Sequence, residues 1–169
     1  MSSVNELIAA VAALYSSPAI RFSTSGTLIT VFALADFLVR RRRAAASHAP
    51  RPRWVRPLIA LSVLGFYALI GPTGGALMGG WGNLIGIALV AFAIAVRASS
   101  SVRHPELAGR GLFYVALPLA TGTPWGLLAL SLPACAASWY LASRDEEVAL
   151  AAADPAASGA RYRMIPGLW

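Results

Sequence analysis

The chain has 169 residues, 57% of them hydrophobic and only 12% charged. An average globular domain carries roughly 25% charge, so an ordinary water-soluble fold is excluded. The net charge of +7 comes from 14 arginines, no lysines and 7 acidic residues. These arginines flank apolar runs and form no stripe interleaved with stacking aromatics, which argues for control of membrane topology and against nucleic acid.

Ser3 and Glu6 have the spacing of a capping box, opening a helix with Leu7, Ile8, Val11, Leu14 and Tyr15 on it. It is too short to span, and Pro18 ends it. Residues 1–22 therefore read as an interfacial helix. No positive segment precedes Leu7, so it does not read as a secretory signal. Ser23 to Val39 is the first expected span. Its one charge, Asp36, stands four residues before Arg40, an i,i+4 spacing that allows an ion pair near the membrane surface.

Arg40, Arg41, Arg42, Arg43, Arg51, Arg53 and Arg56 then crowd one short loop, which the positive-inside rule places in the cytoplasm. Pro57 to Val96 carries no charge. A single helix of that length would rise about 60 Å, twice the hydrocarbon thickness, so the stretch must fold back. The turn is expected between Pro72 and Asn83. Gly71, Gly75 and Gly79 are four apart, as are Gly82 and Gly86, a spacing that lets helices approach closely in lipid. Arg97, Arg103, His104 and Arg110 mark the return to the cytoplasm.

Gly111 to Ser143 is also uncharged, and Thr121-Gly122-Thr123-Pro124 divides it into a hairpin. Arg144-Asp145-Glu146-Glu147 brings the chain back inside, and the Ala-rich Glu146 to Ala153 favours helix. The expected fold is an all-α polytopic membrane bundle. It has about five transmembrane helices within residues 23–143, the N-terminus outside, and a C-terminal cytoplasmic helix in the tail, 144–169. The lone Cys135 sits in an apolar run and reads as a small hydrophobe. It makes no metal-ligand set with His48 and His104, so no metal is expected.

Two polar clusters fall at the same end of the last hairpin: Arg103-His104-Pro105-Glu106-Leu107-Ala108-Gly109 and Arg144-Asp145-Glu146-Glu147. Together they offer guanidinium groups for a carboxylate and carboxylates for an ammonium or a ribose. The plain structural reading makes the same arginines topology charges, and makes Glu146 and Glu147 a solvated helix start.

Arg103-His104-Pro105 followed by Gly109 resembles the R-H-P-x-Y-x-G motif of the isoprenylcysteine carboxyl methyltransferase and phospholipid methyltransferase families. The hairpin Gly111 to Ser143, the pair Glu146-Glu147 and the ending Arg163-Met164-Ile165-Pro166-Gly167 follow in the order found there. The similarity spans roughly Gly86 to Trp169. It implies a membrane-embedded transferase that uses S-adenosylmethionine in the inner (cell) membrane of a bacterial-type cell. Carried over by position, Arg103, His104, Pro105, Gly109, Glu146 and Glu147 would bind the cofactor, and His104, Arg144 and Glu147 would serve catalysis. The implied acceptor is lipophilic, a prenylated group or a lipid or terpenoid carboxylate entering from the bilayer past Leu112, Phe113, Tyr114, Trp139 and Tyr140.

The chain departs from the family pattern in three places. Leu107 replaces the motif's tyrosine. Ala98 to Val102 lacks the aromatic that usually precedes R-H-P. Ala151 to Ala160 replaces an aromatic-rich segment. Two other readings stand beside this one. Tyr162-Arg163-Met164-Ile165-Pro166-Gly167 is similar to the ending of NADPH-dependent sterol and steroid reductases. A non-catalytic membrane scaffold of the same fold would also tolerate the missing aromatics.

Overall fold

The computed structural model describes residues 2–42, 52–99 and 105–153. They form helices and turns: α1 (Ser2–Tyr15), α2 (Pro18–Arg42), α3 (Val55–Thr73), α4 (Trp81–Ala98), α5 (Pro105–Ala120) and α6 (Leu132–Ala153). Three segments, Pro18–Val39, Val55–Thr73 and Leu77–Ala98, are helical, long and apolar enough to cross a membrane. Helix α5 has 16 residues and α6 carries the charged Arg144-Asp145-Glu146-Glu147 run.

The expected first break is present. Helix α1 ends at Tyr15, and Pro18 is the first residue of α2. Proline suits that position because its fixed φ is helical and its missing N–H would have no partner there. Span and helix thus begin five residues earlier than Ser23. Arg21, near the start of α2, is buried at 3% exposure. Its Nη1 donates to the carbonyls of Tyr15 (2.9 Å) and Ser16 (3.2 Å), and its Nη2 to that of Gly71 (2.8 Å). One side chain therefore satisfies carbonyls left over at the C-terminal ends of both α1 and α3.

The fold-back between Pro72 and Asn83 is also present, as an irregular segment and a short 3-10 turn, Leu77–Gly80, ahead of α4. The second turn falls at Thr121–Gly122. Helix resumes at residue 125 and passes through a π-helical segment, Leu127–Ser131, into α6. The two turns are tied together. The N–H of Gly75 donates to the carbonyl of Gly122 at 2.9 Å. The fully buried Asn83 accepts from the Leu77 N–H (3.0 Å) and donates to the Ala120 carbonyl (3.2 Å). Gly122 has φ +63°, and a Cβ there would lie 1.7 Å from the Gly75 oxygen, so only glycine fits.

The glycine spacing succeeds in one place. Gly86 lies where α4 crosses α5, and a Cβ on it would come within 2.1 Å of the Ala120 nitrogen. Gly71, Gly75 and Gly79 do not form a helix face, because α3 ends at Thr73 and the later two fall in the turn. The core is one cluster containing Phe32, Phe66, Ile70, Val90, Phe113, Leu117 and Leu130, with Phe32 and Phe113 stacked at 4.1 Å. Phe113 is therefore part of the core. Large apolar side chains such as Leu34, Phe37, Leu61, Leu64 and Phe92 are more than half exposed on α2, α3 and α4. In water such a surface would aggregate; in lipid it is the natural solvent-facing surface.

Candidate functional site at the arginine-rich end

The start of α3, the end of α4, the start of α5 and the later part of α6 meet at one end of the bundle. A small core of Val55, Leu107, Ala137 and Leu141 fixes this arrangement. Leu107 is two residues past Pro105, and Leu141 is one turn before Arg144. The packing of α5 on α6 thus sets Pro105 and Glu106, at the start of α5, toward the charged turn of α6.

Within α4 and α5 the end is held by ions. Arg97, with a side chain 1% exposed, donates from Nε to Oδ1 of Asp36, and its Nη2 lies 3.2 Å from Oε1 of Glu106. Arg110 donates from Nη2 to the other oxygen of Asp36 at 3.2 Å. Among the described residues the cluster counts two arginines and two carboxylates, a balance that a low-dielectric interior tolerates. The two Nη atoms of Arg97 make no hydrogen bond. Asp36 was expected to pair locally with Arg40, whose side chain lies outside the described ones. The described partners of Asp36 come from α4 and α5, and they make it a link among three helices. The signal available in the sequence was the carboxylate itself: a lone Asp in an apolar span requires a buried cation.

The expected site residues divide by position. Arg103 and His104 lie outside the described residues, as do Arg163 to Gly167. Pro105 is the first residue of α5 and is buried. Gly109 is buried against α4, where a Cβ would meet the Arg97 Cβ at 2.9 Å and the Ala93 oxygen at 3.0 Å. The packing of α5 under Arg97 accounts for its lack of a side chain. Arg144, Glu146 and Glu147 lie on α6, which runs unbroken from Leu132 to Ala153. The described part of the expected C-terminal helix is thus a continuation of the last long helix.

Arg144 Nε stands 3.9 Å from Oε2 of Glu147, one turn apart and both partly exposed. That distance is too long for a hydrogen bond, and the Nε atom makes none. A partly exposed guanidinium beside a partly exposed carboxylate offers both charges to a zwitterionic ligand. Compared with known proteins, the chain matches no family model, no curated protein and no solved structure.

Proposed function

We propose that the chain crosses the cytoplasmic membrane five times and, at its cytoplasmic end, transfers a methyl group from S-adenosylmethionine to a lipophilic acceptor. The observation that supports this reading is the shared cluster of Leu107 and Leu141, which sets the start of α5 and the Arg144–Glu147 turn of α6 at one end of the bundle. The fourth span is α5, whose 16 residues rise about 24 Å. The fifth runs from residue 125 into α6. Both are slightly short for a hydrocarbon core of about 30 Å, and local thinning absorbs that mismatch.

The topology has its own test. In a Cys135→Ala background, cysteines at Ala45 and Ala157 are expected to react with a membrane-impermeant thiol reagent only from the cytoplasmic side. Labelling from opposite sides would overturn the count of five.

Bound S-adenosylmethionine supplies an electrophilic methyl on a sulfonium. The chain's contribution is then alignment and exclusion of water, effects together worth roughly 7–11 kcal/mol. Arg103 and Arg144 would hold the cofactor carboxylate, and Glu146 and Glu147 its ammonium or ribose. An acceptor carboxylate is already ionised near neutral pH and needs no base. An amine or hydroxyl would lose its proton to His104 or Glu147.

Replacing Arg103, His104 or Glu147 with alanine is expected to weaken cofactor binding about ten- to a hundredfold. This is the loss of one charge-assisted hydrogen bond of roughly 1.5–3 kcal/mol, with the helical circular dichroism unchanged. Unchanged affinity in all three variants would leave these residues as topology charges only.

A further inference from the structure

Between α3, α5 and α6, at the arginine-rich end, lies an open cleft of about 420 Å³. Its walls include Ile59 and Leu141, and its polar groups are Arg56, Arg110, Tyr114 and Ser138. No carboxylate is among the described residues that line it. Arg110 is fixed on its wall through the 3.2 Å bond to Asp36, whereas Arg56 is exposed at its edge.

The cleft is shallow along the bundle. From Leu107 to Tyr114 on α5 is about 10 Å of rise, far less than an acyl chain needs and about the depth of a headgroup layer. Its level is marked independently. Trp54 and Tyr140, each next in sequence to a residue lining the cleft, pack ring against ring at 5.3 Å, and such aromatics sit at the membrane–water interface.

We propose that this cleft is a binding site for one anionic phospholipid of the bilayer. Arg56 and Arg110 engage the headgroup phosphate, and the glycerol and first methylenes lie against Ile59 and Leu141. The charge is complementary: Arg110, paired on one side with Asp36, offers its remaining N–H groups to the phosphate, and Arg56 adds a positive charge that a headgroup without its own cation balances and a choline headgroup does not. The cleft is open, so a lipid of the membrane, already concentrated there, can enter it. The site does not depend on the methyl-transfer reading, because none of the cofactor residues contributes to it. It would hold the start of α3 against the α5–α6 pair at the face where that chemistry is assigned.

The test is native mass spectrometry of the full chain in detergent with equal amounts of phosphatidylglycerol and phosphatidylcholine. The wild type is expected to retain the anionic lipid about tenfold over the zwitterionic one, the size of one charge-assisted contact. Two variants keep the result interpretable. Arg56→Gln removes an exposed charge, and Ala60→Leu, at an exposed position on the wall, fills the cleft without altering charge. Both are expected to bring the ratio close to one while the thermal midpoint in lipid-free detergent stays near that of the wild type. Equal retention by the wild type would overturn the proposal, as would a preference kept by either variant. Displacement of phosphatidylglycerol by equimolar palmitate would also overturn it, since a single-chain carboxylate would then be the preferred occupant.

Discussion

Replacing Asp36 with alanine is expected to destabilise the protein by about 3–5 kcal/mol, measured as loss of the folded fraction in graded denaturing detergent. The reason is the company Asp36 keeps. Its two oxygens take Arg97 and Arg110, and Arg97 is 1% exposed. Without the carboxylate the cluster carries an uncompensated positive charge, and the Arg97 Nε loses its acceptor. Glu106, 3.2 Å from the Arg97 Nη2, limits the damage and places the loss toward the lower end of the range. Asp36→Asn retains an acceptor without the charge and should fall between the wild type and the alanine variant. The double variant Asp36→Ala, Arg97→Met should recover part of the loss, because the orphaned cation leaves with its partner. Losses that simply add in the double variant would show that the ion pair does not link α2 to α4.

Gly86→Leu is expected to cost about 3 kcal/mol or more, beyond the roughly 1–3 kcal/mol usual for overpacking. Even the first carbon of the new side chain would stand 2.1 Å from the Ala120 nitrogen and 2.6 Å from the Leu119 carbonyl carbon. These are backbone atoms, so α4 and α5 must separate, and with them the Asn83 bond to the Ala120 carbonyl. Gly26 in α2 supplies the opposite case, because a Cβ there would have nothing within 4 Å of it. Gly26→Ala should therefore stabilise by about 0.5–1 kcal/mol through backbone entropy alone. If both substitutions shift the thermal midpoint in the same direction, close helix approach is not the reason for glycine at 86.

Much of this architecture was legible because it rests on local signals. Long uncharged stretches, proline at 18 and the glycine–threonine turn at 121–123 each act over a few residues, and each appears where the sequence puts it. The signals that misled were those requiring knowledge of a partner. Arg97 looks like a topology charge in a linear chain and Arg21 has no evident role there, yet both are buried, one joining three helices and the other closing the ends of two. A four-residue glycine spacing means a helix face only where a helix exists, and at Gly75 it does not. For the candidate site, the Arg144–Glu147 spacing was readable as neighbours on one helix. The role of Gly109 was not readable, since its crowding arises from Arg97 and Ala93 on another helix.

The assignment of methyl transfer rests on cofactor recognition, and isothermal titration of the purified, detergent-solubilised chain measures that directly. Titrations with S-adenosylmethionine and with S-adenosylhomocysteine are each predicted to give saturable, single-site binding, and NADPH is predicted to give none. Absence of binding by both sulfur nucleosides, or saturable binding of NADPH in their place, would contradict the account.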